Sequence, residues 1–144
     1  MKGLLIISLL LFSLQTLSSD EGVIPIKNMI PSNHNFTKQE VVWMYTMKTK
    51  FWDDGTRITV FYFDNNSSLH RRFCSNILSM SPGDFDNIVA SKINTGSANS
   101  YRKVRSEEEM YSRVELIPGA IGYVSENTLI INGGRYVKKI TISE

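Results

Sequence analysis

Residues 57–63 of this chain are β-branched or aromatic at most positions, and Val60-Phe61-Tyr62-Phe63 is apolar without a break. A strand with two apolar faces needs cover on both sides, which places it inside a sheet flanked by helices. The polar turn Asp64-Asn65-Asn66-Ser67-Ser68 follows. Beyond it, Leu69, Phe73, Ile77 and Met80 recur at spacings of four, four and three, the period of a helix with one buried stripe. Cys74 falls beside that stripe, while His70, Arg71, Arg72, Ser75 and Asn76 fall on the opposite face.

The same alternation extends in both directions. Val23-Ile24-Pro25-Ile26 reads as a first strand, which Pro25 restricts to an edge or a strand end. Residues 28–35, with Pro31, Ser32 and Asn at several positions, read as a loop. Thr37 and Glu40 then form a capping box, and Val41, Met44, Tyr45 and Lys48 carry a helix over about 38–48. The stretch around Asp53-Asp54-Gly55 is a turn. Downstream, Ser81-Pro82-Gly83-Asp84 restarts a helix, with Ser81 as N-cap, Pro82 in the first helical position and Phe85, Ile88 and Val89 buried. Residues 94–100 (NTGSANS) are the most loop-like stretch, and Arg102, Lys103 and Arg105 follow them directly. Ser106-Glu107-Glu108-Glu109 is another capping box, whose helix runs through Met110, Val114 and Ile117 to Pro118-Gly119. A strand over 120–124 comes next. Leu129-Ile130-Ile131 and residues 136–142 then read as a hairpin around Asn132-Gly133-Gly134. This order predicts an α/β class: a single three-layer α/β/α lobe with no internal repeat.

The first residues bear on compartment. Lys2 precedes an apolar run from Gly3 to Leu14, broken only by Ser8 and Ser13, and a more polar stretch to Asp20 follows. That is the layout of a secretory signal peptide over residues 1–18, short for a comfortable membrane span, with a retained anchor as the alternative. Residues 19–144 are then one domain, expected in the periplasm and not inserted in the membrane after cleavage. The single Cys74 excludes an internal disulfide. A net charge of +2 argues against a nucleic-acid partner, which needs a basic face.

No catalytic set emerges, so an enzyme is not expected. His34 and His70 fall in no metal-binding spacing, Cys74 reads as a buried structural thiol, and Asp53-Asp54 reads as turn chemistry. No cofactor or metal motif is present. The better candidates bind anions. Ser67 and Ser68 stand where a helix begins, with unpaired backbone N–H groups and the positive end of the helix dipole. Asp64, Asn65 and Asn66 complete that turn, and Arg102 and Arg105 can supply positive charge. An ordinary capped turn with solvated basic residues nearby is the plainer alternative.

Certain runs resemble a known family. These are Glu40-Val41-Val42-Trp43-Met44-Tyr45, Trp52-x-Asp54-Gly55-Thr56, Ser67 with Phe73 six later, Ser106-Glu107-Glu108-Glu109, and Pro118-Gly119-Ala120-Ile121-Gly122-Tyr123-Val124. Over about 23–125 the chain resembles the short PstS-like members of the periplasmic phosphate-binding protein family, which have the type II periplasmic binding protein fold. The resemblance implies an exported lobe that holds a phosphate-like oxyanion for an ABC transporter or a sensor. It also implies departures. Larger relatives carry an S-G-T run preceded by Arg and Asp, where this chain has Ser67-Ser68-Leu69 with Phe63 and Asn65 before it. Met47 replaces a Gly after the first helix, and residues 94–100 stand in a Gly/Pro-rich loop. Those relatives are about twice as long and close two lobes on the ligand. An accessory module that docks on a transporter or sensor protein, its pocket vestigial, is the alternative.

Overall fold

The computed structural model describes residues 22–29 and 35–143, so the apolar N-terminal run and residues 30–34 of the expected loop lie outside the described residues. Strand β1 (Val23–Asn28) and the short β2 (Phe36–Thr37) lead into helix α1 (Lys38–Tyr45). Strand β3 (Thr59–Tyr62) leads into α2 (Ser68–Arg72), which continues as a π-helix over Phe73–Leu78. Helix α3 (Pro82–Lys92) runs through irregular turns (Ile93–Ser97, Ala98–Ser100) into β4 (Tyr101–Lys103). The remainder is α4 (Glu107–Leu116), β5 (Ala120–Ser125), α5 (Glu126–Asn132), β6 (Val137–Lys139) and β7 (Ile142–Ser143).

Five of the strands form a mixed sheet in the order β4-β3-β5-β1-β6. Strand β3 is parallel to β4 and β5, whereas β1 is antiparallel to β5 and β6. β2 and β7 pair separately. The two-faced apolar run 60–63 is therefore an inner strand, as its pattern requires. β5 is buried at every position, and its side chains separate the layers. A Cβ built on Gly122 would lie 2.4 Å from Met110 Sδ of α4. The next residue, Tyr123, points the other way and stacks on Phe73, with ring centroids 3.8 Å apart and planes 5° apart. Successive strand residues face opposite sides, so α4 covers one face while α2 and its π-helical extension cover the other. That is the three-layer arrangement.

Several elements depart from the pattern reading, each for a local reason. Pro25 sits inside the sheet, not at an edge: its carbonyl accepts from Ile140 N on the β6 side, and paired residues of β6 begin only at Ile26. Pro25 thus stands opposite Ile140 at the end of that ladder, where its missing N–H forgoes only the one return bond. The Leu129-Ile130-Ile131 run is helical. Ser125 accepts from Thr128 N and caps α5, and a short apolar run cannot by itself separate strand from helix. The strand over 137–139 pairs with β1 rather than folding back on 129–131. Helix α1 stops at Tyr45 because Met47 turns out of it with φ 57°. A left-handed residue costs about 1–2 kcal/mol. Met47 is only 1 % exposed, and burying a methionine side chain contributes about 1.5–3 kcal/mol. Burial thus offsets the strain where the family resemblance expects glycine.

Candidate functional site

Three helices begin at one rim of the sheet, each from a serine that ends a strand or the turn after it. Ser67 accepts from His70 N at 3.2 Å and opens α2 after β3. Ser106 accepts from Glu109 N at 3.1 Å and opens α4 after β4. Ser125 accepts from Thr128 N at 3.3 Å and opens α5 directly from β5. One cavity of about 400 Å³ lies between the three starts. Ser67, Ser68, Ser106 and Ser125 line it, together with Arg72, Arg105 and Glu107, and Phe63 and Leu69 supply its apolar wall. Parallel strands that end together bring helix N-termini together. The partial positive charges of the three starts add to two guanidinium groups.

One negative group interrupts this field. Glu107 Oε1 accepts from Ser125 N at 2.5 Å, so its carboxylate holds the start of α5 from the side of the cavity. A carboxylate accepts hydrogen bonds and cannot donate them. The combination suits an oxyanion that brings a proton of its own better than one that carries none.

Not all of the residues expected from sequence come together here. Ser67, Ser68 and Arg105 line the cavity; Asp64, Asn65, Asn66 and Arg102 do not. Asp64 folds back on the turn, its Oδ1 accepting from Asn66 N at 3.1 Å and its Oδ2 lying 3.1 Å from Lys103 Nζ. The Asn66 amide first, and Lys103 second, hold its carboxyl below the usual range. Asn65 donates through Nδ2 to Asp86, and its buried Oδ1 has no hydrogen-bond partner among the described residues. Arg71 clamps the same turn by donating to the carbonyls of Asn65 (3.0 Å) and Asn66 (3.1 Å). Arg102 stands exposed on the edge strand β4. These groups shape the turn that presents Ser67, and the cavity lies on its other side.

Arg72, Glu107 and Ser125 were not singled out by pattern. A signal for Ser125 exists in Ser125-x-x-Thr128 at a strand end, but the apolar residues after it masked the helix. The spacing puts Arg72 and His70 on the face opposite the apolar stripe, whereas His70 is fully buried and Arg72 is half-buried. The buried stripe of α2 is wider than the apolar residues alone suggest, with Leu69 and His70 stacked one turn before Phe73 and Cys74, and the π-helix over Phe73–Leu78 rotates only the positions that follow. Leu78 rather than Ile77 reaches the core.

Beneath α2, a buried polar chain fixes the site's floor. Tyr123 Oη accepts from Phe63 N at 2.9 Å and shares a hydrogen bond with His70 Nδ1. His70 Nε2 faces Cys74 Sγ at 3.5 Å. Burial pushes the His70 pKa down; Asp86 and Asp64 oppose this, and Lys103 and Arg71 add to it. Burial pushes the Cys74 thiol up to about 12, so it stays protonated. With its folded pKa depressed, His70 binds fewer protons than in the unfolded chain, so stability falls as pH drops below about 6.5. Urea midpoints at stepped pH are expected to show this fall, with a slope of at most about 1.4 kcal/mol per pH unit. His70→Gln should flatten it.

Among the described residues no group of three or more His, Cys, Asp or Glu gathers in a way that could hold a metal ion, and no helix is long and apolar enough to cross a membrane. A second cavity, of about 240 Å³, lies beside Trp43, Phe51 and Trp52 at the start of α1, where the Glu40 carboxylate already accepts from Thr37 N.

No family model and no curated protein matches the sequence. Solved structures do match. An ABC-type phosphate transport receptor from Vibrio cholerae superposes with a TM-score of 0.62 at 16% identity, covering 85% of this chain and 46% of that one. PstS from Borrelia burgdorferi gives 0.58 at 16% identity, with coverage of 86% and 48%. A phosphate ABC transporter substrate-binding protein from Clostridium perfringens, described as putative and solved with bound phosphate, gives 0.57 at 15% identity, with coverage of 83% and 53%. The chain has a PstS-like fold and spans about half the length of these structures.

Proposed function

We propose that this chain is an exported phosphate-binding-like module that holds a small, protonated oxyanion, phosphate by preference, in the cleft between Ser67, Ser106 and Ser125. The observation that carries this reading is the convergence of three helix starts and two arginines on one cavity. Helix starts offer donors without needing a side chain for each bond; at α5, Ser125 N and Glu126 N are already given to Glu107 and to the Gly22 carbonyl, so α2 and α4 supply more of them. The PstS-like fold, shared with proteins whose names include phosphate transport and bound phosphate, supports the same class of ligand. The apolar run Gly3 to Leu14 supports export, and a periplasmic domain over 19–144 follows from it.

The geometry also sets the strength. The cleft is open on one side, so a bound anion keeps part of its hydration and the arginines stay screened. Dissociation constants on the order of millimolar follow.

Two substitutions of opposite sign test the reading. Arg105→Ala removes a cation from the cavity wall and is expected to weaken phosphate binding about tenfold, the worth of one charge-assisted hydrogen bond. Glu107→Gln removes the repelling charge while keeping an acceptor for Ser125 N. It should tighten binding of both phosphate and sulfate, and sulfate by more. Calorimetric titration of the two variants and the parent chain reads both effects. Phosphate affinity that ignores both changes would place any bound anion elsewhere.

A further inference from the structure

Helices α4 and α5 both start at the cleft, and each ends in exposed apolar residues. Leu116 is 72 % exposed, Ile130 70 % and Ile131 72 %. Helix α5 buries none of its residues. The two helices are joined to each other and to the sheet. Tyr111 of α4 donates to the carbonyl of Asn132 at the end of α5 (3.4 Å), and Asn28 of β1 donates to the carbonyls of Val114 (2.8 Å) and Glu115 (2.9 Å). β1 in turn pairs with β6, with Asn28 opposite Val137. Arg135, Lys138 and Lys139 flank that strand, and Lys138 and Lys139 line the same shallow depression as Ile130.

We propose that this end of the molecule docks on an anionic phospholipid surface, with Ile130, Ile131 and Leu116 entering the interface and Arg135, Lys138 and Lys139 meeting the headgroups. Large exposed apolar residues on a soluble fold mark an interaction site. Apolar residues ringed by Lys and Arg are the pattern of interfacial binding, because aliphatic tips partition among the acyl chains while the cations remain at the phosphates. Charge decides between occupants. Pairing this patch with a second copy about a two-fold axis would bring each copy's three cations against the other's, which repel, whereas an anionic surface attracts all three. The inference does not depend on what the cleft binds.

The test uses the full chain and its variants. Sedimentation with vesicles of phosphatidylglycerol and phosphatidylcholine should show binding that rises with phosphatidylglycerol and falls with salt. Each cation is worth about five-fold near such a surface, so replacing Arg135, Lys138 and Lys139 together by Glu should lower binding by well over tenfold. The N-terminal apolar run is the same in every variant and cannot produce that difference. Ile131→Trp reports the patch itself: its emission, less that of the parent chain, should shift to the blue on phosphatidylglycerol vesicles. Emission unmoved by vesicles overturns the proposal even if the chain sediments, and so does equal binding of the charge-reversed variant. Concentration-dependent dimers without lipid that Ile131→Asp dissolves would assign the patch to self-contact instead.

Discussion

Gly119→Ala is expected to cost roughly 3 kcal/mol or more, a large fraction of the about 5–15 kcal/mol that holds a domain folded. Two penalties coincide at this residue. Its φ is +79°, and a Cβ there would lie 2.3 Å from the carbonyl oxygen of Arg57 and 2.7 Å from Thr56 Cγ2. A left-handed non-glycine residue costs about 1–2 kcal/mol, and forcing an atom into a packed interior costs about 1–3 kcal/mol more. The Arg57 carbonyl is backbone and cannot rotate aside. Relief by backbone movement would pull the Gly119 carbonyl from Trp52 Nε1, which donates to it at 2.9 Å. Gly55→Ala is the control. That glycine has φ +86° but no atom within 4 Å of the added Cβ, so it should lose only the strain, about 1–2 kcal/mol. Urea denaturation of both variants separates the effects. Equal losses would mean the contact with Arg57 does not exist in solution.

Phe73→Ala is expected to lose about 3–5 kcal/mol, the usual range for a buried aromatic. Phe73 is fully buried between Tyr123, 3.8 Å away in a stacked geometry, and Tyr45, at 4.8 Å. Its effect should reach the cleft. Tyr123 ties the end of β3 to α2 through Phe63 N and His70, so a ring free to move into the cavity left by Phe73 loosens both sides of the turn that carries Ser67. A calorimetric or urea measurement gives the stability loss. Faster amide exchange at 64–68 than at the distant turn 53–56 gives the local part. A uniform increase across the chain would show that the stack supports the core and not the turn in particular.

The residues most legible in the sequence were those whose signal is local. Thr37 with Glu40, Ser81 with Pro82, and Ser106 ahead of three acids each begin a helix where chemistry places them, since a cap is read within four residues. The run 60–63 was readable as a central strand because both of its faces are apolar. Where the outcome depends on distant partners, the pattern failed. Pro25 is tolerated inside the sheet only because of where β6 stops. His70 is buried because Tyr123, more than fifty positions later, satisfies its ring. The cleft itself combines both cases. Ser67, Ser68 and Arg105 could be picked out, but Arg72, Glu107 and Ser125 join them only through sheet order. The two glycines of the run 118–124 acquire distinct reasons: Gly119 for its backbone conformation, Gly122 because Met110 leaves no room for a side chain.

A titration of the amide spectrum with phosphate, repeated with sulfate at the same ionic strength, goes most directly to the cleft. The expected result is saturable shifts at Ser67, Ser68, Ser106 and Ser125 at roughly millimolar phosphate, with smaller shifts under sulfate because Glu107 opposes an anion without a proton. Amides at these helix starts that stay fixed under phosphate, or that move only with ionic strength, would contradict an oxyanion site there.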